Sequence, residues 1–423
     1  MNIFLITYIF TFAFIAKHTK YSCFTEPLYW LSLFWVLIFG VYLTSGIQYK
    51  YGLTIQLGLF LFFCSIFFYR GYLKGLSKPT KCFCKADFNI SVRKYIIVGL
   101  IGGFLFVWDY IRLNGISESK GDSQISFIGS LGSLFMPILL LLGLFLNAKR
   151  IKEKGSFSII GVLLIIGYSV PCMINAGRES ILFAIIGIVS LFGYKSLLDR
   201  HNTYSTKKSS ILYILGLFII VFLIFMILQI SQQRFTDNEV NILLTYRNVS
   251  SQAMEEAAQW GDFEFLYYNI ASYFSHQIPF LDFTLTEYKG PYLFGMYELN
   301  IVSRRLPDFL GLDYRLVSKE LETLYSVKRE SFSGAWNTIF GSLIVDFTWI
   351  GTIGISFICG KLIGKVKKKF INTLDSRYAV LIALICLSSF STIQLGPFYQ
   401  TQIYGTYIWW FLIFRRNEKN ILK

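Results

Sequence analysis

The residues Asn175-Ala-Gly-Arg-Glu-Ser180 join two apolar runs and carry the plainest chemical signal in the chain. Gly177 permits a positive φ or a close backbone approach. Arg178 and Ser180 then open the next helix. A helix start offers unpaired N–H groups and a positive partial charge, which together suit an anion. An arginine there adds a planar fork matched to phosphate. The plainer reading is an arginine that snorkels to lipid head groups, or one that pairs with Glu179 or a loop acid. Spacing alone leaves the two level.

A second set lies between residues 232 and 334. Arg304 and Arg305 are adjacent, with Arg234 and Arg247 before them and Arg315, Lys328 and Arg329 after. They could hold a polyanion, or they could form surface ion pairs with the fourteen acids of this stretch, each worth little. His276 is a candidate general base, although a lone histidine is more often structural. Asp262, Glu264, Asp282, Glu287 and Glu298 compete for that role, and sequence does not rank them. The tyrosines and Trp260 could stack on sugar rings or anchor the stretch at an interface. Asp346 is an ionisable group about ten residues into an apolar run, a costly placement that calls for a polar cavity or a partner. Arg178 and nearby hydroxyls are the candidates. Asp109, beside Trp108, reads as interfacial.

These residues need elements to position them, and the elements are membrane spans. The 423 residues are 54% hydrophobic, 18% aromatic and only 15% charged, where a soluble protein carries about 25% charged residues. Repeated apolar runs make this an all-α, polytopic membrane protein. Spans are expected at 1–16, 28–47, 53–69, 95–111, 125–146, 157–175, 179–195, 210–231, 336–360, 378–396 and 400–414, about eleven in all. Proline is scarce, so most should be unbroken. With the N-terminus outside, 27 of the 40 basic residues fall inside, and the C-terminus is cytoplasmic. The +15 net charge therefore requires no nucleic acid.

The chain then divides into an N-terminal membrane part (1–231), a large external loop (232–335) and a C-terminal membrane part (336–423). The loop is too aromatic to stay disordered. Short helices are expected at Ser251–Trp260 and Tyr314–Tyr325, with Pro279, Pro291 and Pro307 as punctuation. The seven cysteines form no secreted-type framework, and the three histidines are scattered. Cys82-x-Cys84 is a weak metal signal, and no metal site is expected. Walker A, G-x-S-x-G and H-E-x-x-H patterns are absent, which disfavours ATP hydrolysis, serine hydrolysis and zinc proteolysis.

Three stretches give the chain a familial likeness: Asn175-Ala-Gly-Arg-Glu-Ser-Ile-Leu182 with its Arg-x-x-x-Leu, Tyr273–Gly295, and Trp336-Asn-Thr-Ile-Phe-Gly-Ser-Leu-Ile-Val-Asp-Phe-Thr-Trp-Ile-Gly351. The chain resembles the bacterial oligosaccharide repeat-unit polymerases of the Wzy type, which make O-antigen and capsular polysaccharide. Thr348 stands where that family often has glycine after Asp-Phe, and the Arg-x10-Gly repeat of some members is missing.

The resemblance implies a GT-C-like glycosyltransferase at the outer face of the bacterial inner membrane. It would join repeat units carried on undecaprenyl diphosphate, with no cofactor beyond that carrier. Such a reaction needs cations for the leaving diphosphate and a base for the acceptor hydroxyl. The residues read here as fitting those needs are Arg178, Arg304, Arg305, His276 and Asp346 as catalytic, with Gly177, Ser180, Arg247, Asn337 and Thr338 as substrate-binding. A flippase and a chain-length regulator are the implied partners, beside the membrane and the lipid-linked oligosaccharide. The competing expectations are an O-antigen ligase, with the same donor and a different acceptor, and a lipid-linked oligosaccharide flippase or other transporter. A flippase should have short loops throughout and more charge in its spans.

Overall fold

The computed structural model describes residues 23–44, 47–49, 52–77, 92–114, 126–174, 178–201, 271–272, 274–299, 301–312, 315–328, 337–393, 396–397 and 400–415, with Ser251, Gln252 and Glu255 besides. The expected spans 1–16 and 210–231 lie outside the described residues, as do Cys82 and Cys84.

The described residues are helical, with no strand among them. In chain order the helices are α1 (Pro27–Thr44), α2 (Ile55–Ser77), α3 (Val92–Asn114), α4 (Phe127–Phe135), α5 (Pro137–Lys154), α6 (Ile159–Ile174), α7 (Arg178–His201), α8 (Gln277–Glu287), α9 (Lys319–Lys328), α10 (Ile339–Thr373), α11 (Ser376–Ser391) and α12 (Thr401–Trp410). A π-helical turn at Ile301–Arg305 leads into a single α-turn at Leu306–Phe309. Among the described residues, five stretches are long and apolar enough to cross a membrane: Ile55–Ser77, Val92–Leu113, Phe127–Lys154, Ser180–Asp199 and Ile339–Thr373. The chain is thus a helical, membrane-embedded protein.

Burial separates the inner helices from the outer ones. The run Ile138–Leu142 of α5 and the run Val380–Leu387 of α11 are buried on every side, as expected for helices at a bundle's centre. In α3 the side chains of Ile97, Leu100, Ile101 and Phe104 face outward. An apolar surface of that extent is the one lipid should cover.

The tightest helix pair is α2 with α10. Gly71 and Gly75 meet Gly360 and Gly364. A Cβ added at Gly71 would lie 2.1 Å from the Phe357 carbonyl oxygen, and one at Gly360 would lie 2.1 Å from that of Phe68. Only glycine permits this backbone contact, the small-xxx-small device of helices in lipid. Matching residues rise together along the two helices, so α2 and α10 run parallel. Thr54 and Asn337 therefore share one end of the bundle, and Lys74 and Lys367 the other.

Two expectations are revised. The 336–360 run does not end at Gly360. Its helix continues to Thr373, about 20 Å further, because the lysines there ride on a packed helix. Lys367 is fully buried. Its Nζ lies 3.3 Å from a Glu26 carboxylate oxygen and donates to the Thr25 carbonyl at 2.6 Å. Tyr72 donates to the other Glu26 oxygen. The 125–146 run also divides, at Met136, where Pro137 takes the first position of α5 and supplies no N–H.

Candidate functional site

Asp346 marks the most irregular place in the fold. Two residues later Thr348 has φ 69° and ψ 169° inside α10, a region that is essentially glycine-only. Glycine would suit this backbone, and here Thr348 occupies it. Its hydroxyl accepts from the Gly351 N–H at 3.3 Å, so it caps the lower half of the helix. The break deprives the carbonyls of Val345 and Asp346 of their helical donors. Leu293 and Phe294 of the loop replace them, donating at 3.2 and 2.9 Å. The Asp346 carboxylate then accepts the N–H groups of Tyr297 and Glu298 at 2.9 and 3.1 Å.

The long loop is thus spliced into a spanning helix, and Asp346 holds the splice. The expected link from Asp346 to Arg178 falls on a side chain outside the described residues. The carboxylate's described partners are backbone amides.

The loop packs around that splice. Phe280 of α8, Tyr288, Tyr297, Tyr325 of α9 and Val345 form a small buried cluster. Burial, and then the nearby Tyr292 and Asp346, push the Tyr288 phenol up to about 12. The aromatics of this part of the loop therefore serve first as its own core. Asp282 of α8 accepts from the backbone N–H and the hydroxyl of Thr54, at 2.6 and 2.5 Å. Burial raises its pKa and the Thr54 bonds oppose that rise. This pins α8 to the start of α2.

His276 is 1% exposed, and its Nδ1 lies 2.7 Å from the Ser272 carbonyl. A carbonyl only accepts, so Nδ1 carries the proton and Nε2 is the basic nitrogen.

Arg304 lies 2.6 Å from Glu322 and stacks over the Tyr297 ring at 5.5 Å. Arg315 approaches the same glutamate at 3.8 Å. The ion-pair reading describes both arginines. Arg305 closes the π-helical turn. α9 begins at Lys319 rather than Tyr314. The helix expected at Ser251–Trp260 is described only at Ser251, Gln252 and Glu255, which are helical. Gly177, Arg234, Arg247, Trp260, Asp262, Glu264 and Arg329 lie outside the described residues.

At the end shared by Thr54 and Asn337, hydrogen bonds tie three helix starts together. Arg178 is the first residue of α7, as its spacing predicts. Ser180, buried, lies 2.8 Å from Gln402 at the start of α12, and Gln402 also accepts from Tyr168 at 2.8 Å. The preceding Gln400 accepts from Ser391 at 3.2 Å. The next residue, Thr392, accepts the Ile339 N–H at 3.0 Å, which brings in the start of α10. There Thr338 caps Gly341, and Asn337 lies buried with neither amide atom hydrogen-bonded. Glu298 is buried at this end as well. A Cβ on Gly396 would come within 1.8 Å of its carboxylate.

This junction gathers Arg178, Ser180, Asn337 and Thr338 from the residues expected at a site. It adds Glu298, Gln400 and Gln402. Glu298 is one carboxylate among several in the sequence, and only the fold separates it from the others. Among the described residues no group of three or more His, Cys, Asp or Glu could hold a metal.

Fold and junction together define a helical membrane protein with a polar centre at one end of an apolar bundle. No family model, curated protein or solved structure matches the chain.

Proposed function

We propose that the protein is a membrane glycosyltransferase that joins undecaprenyl-diphosphate-linked oligosaccharide repeat units into O-antigen or capsular polysaccharide. The observation that supports this most is the meeting of three helix starts, those of α7, α10 and α12, with Arg178 at the first. Aligned helix starts attract negative charge. The departing lipid diphosphate gains charge as its glycosidic C–O bond breaks. Cationic and N–H donors set in advance favour that state over the bound substrate.

In this reading the terminal hydroxyl of a fresh unit attacks the anomeric carbon of the growing chain. Its proton passes to a base, and undecaprenyl diphosphate leaves. Glu298 is the carboxylate best placed for the base, with His276 second. Arg304 and Arg315 hold α9 against the loop through Glu322, and Asp346 positions Glu298 through its backbone. The site faces the outside of the inner membrane, and the basic Lys74–Lys367 end faces the cytoplasm. A flippase would supply the substrate and a chain-length regulator would act on the product.

The test is the polysaccharide ladder of a deletion strain. Loss of long chains with a single unit retained is expected. Loss of even the single attached unit would instead indicate a ligase or flippase. A phosphatase fusion near Glu287 should be active and one near Lys368 inactive. The reverse would overturn the orientation.

A further inference from the structure

The loop exposes an apolar stripe that its own fold does not cover. Leu299, Val302, Leu306 and Leu310 recur at helical spacing across the π-helical turn and the α-turn after it, and each is 36–55% exposed. Ser303 and Pro307, between them, are buried. Phe294, just before the stripe, is 78% exposed. A soluble loop rarely displays such a row.

The position of Phe294 indicates what covers it. Its N–H donates to the Asp346 carbonyl, and Asp346 is seven residues below the start of α10. At the helical rise this is about 10 Å below that start. Directly after the break, Trp349 and Ile350 are 51% and 64% exposed on the same helix. The lysines of α10 begin only at Lys361, so the apolar length that must lie in hydrocarbon starts near Ile339. Phe294 therefore continues the outward apolar surface of a spanning helix, below the helix's upper edge. Backbone at such depth needs its polar groups satisfied, and the splice supplies this. Leu293 and Phe294 donate to the broken helix, and Tyr297 and Glu298 donate to Asp346.

We propose that residues 293–310 form a re-entrant membrane anchor, with Phe294 among the acyl chains of the leaflet nearest Asn337 and the Leu299–Leu310 stripe lying along its interface. The occupant of the apolar face is lipid. The anchor fixes the height of Glu298 and of Arg304, which lie within it. The inference rests on burial and hydrogen bonding and does not depend on the proposed reaction.

The test is a depth measurement on the full chain in vesicles of phosphatidylethanolamine and phosphatidylglycerol. Phe294→Cys, Leu306→Cys and Leu310→Cys carry a nitroxide label, with the parent chain's own label uptake subtracted. Collision with oxygen, which enters hydrocarbon, is compared with collision with a water-soluble nickel chelate. Trp349→Cys supplies the lipid standard and Glu320→Cys, on the exposed face of α9, the water standard. Phe294 should match Trp349, and Leu306 and Leu310 should fall between the two standards. Labels that match Glu320 would overturn the anchor. Labels shielded from both reagents would also overturn it, since the stripe would then be covered by protein. Should Phe294→Cys fail to fold, the two leucine sites decide the matter alone.

Discussion

The two ends of α10 are built on opposite principles. Toward Thr373 the helix is regular, seated glycine to glycine on α2 and pinned by the buried Lys367. Toward Asn337 it is short, broken at Thr348 and completed by a segment from another part of the chain. The regular half confines its irregular chemistry to one ion pair. The broken half turns backbone amides, a carboxylate and an amide toward a common junction. Continuous helix satisfies its own backbone groups and offers none to a ligand. Interrupting it supplies donors and acceptors at depth, at the cost of needing a partner segment.

That contrast can be broken first at its regular half. Gly360→Leu or Gly364→Leu drives a side chain into backbone that already lies 2.1–2.2 Å from the glycine's own Cβ position. Overpacking typically costs about 1–3 kcal/mol and more where backbone must move. The expected result is loss of monodisperse protein on size exclusion. Gly354→Leu, on the same helix with nothing within 4 Å, should elute as the parent does. Equal behaviour of the two would dissolve the glycine weld.

Arg178→Ala addresses the other half. Under the proposed reaction it should leave an inserted protein whose polymerisation rate falls about 10²–10³-fold. Arg178→Lys should recover little, because an ammonium lacks the paired donor geometry. Normal ladders from the alanine variant at parental protein level would remove Arg178 from the site.

Asp346→Ala should free the loop without unfolding the bundle. Two buried backbone N–H groups lose their acceptor, at about 1–3 kcal/mol each. Faster proteolysis between Tyr288 and Lys328, with the Gly75–Gly364 contact intact, would sharpen the comparison. Unchanged proteolysis would mean that the splice stands without its carboxylate.

The smallest effect is expected at Thr348→Gly. Glycine relieves strain of order 1–3 kcal/mol but forfeits a cap worth about 1 kcal/mol. A small rise in Tm is the expected sum, and a fall would show that the cap outweighs the strain.

Much of this organisation is legible in the sequence. Hydrophobic runs locate α1, α2, α3, α6 and α7 to within several residues, because lipid demands an apolar length. The helix start at Arg178 is legible because glycine and a following polar pair mark it. The break at Thr348 is not. Nothing local forbids Val-Asp-Phe-Thr-Trp-Ile from continuing as helix, and the donors that compensate the break come from residues 293–298, some fifty positions away. The burial of Glu298 at the junction is hidden for the same reason, since it depends on Gly396 lying against it. The two Gly-x-x-x-Gly pairs are readable as a spacing in apolar runs. Each pair gains its meaning only from the other.

The Lys367–Glu26 pair bears on how the chain is made. The two residues are separated by most of the chain's length. At synthesis rates of about 5–20 residues per second, Glu26 emerges roughly twenty to seventy seconds before its lysine exists. The first helix of the bundle core must wait that long with a carboxylate at its start, attended by Tyr72 once α2 has arrived. Final seating of α1 is therefore among the last events of biosynthesis. A ribosome-bound Phe39→Cys chain arrested before residue 367 should leave that thiol of α1 open to probes that the finished protein excludes. Exclusion already complete at that stage would place the seating of α1 earlier.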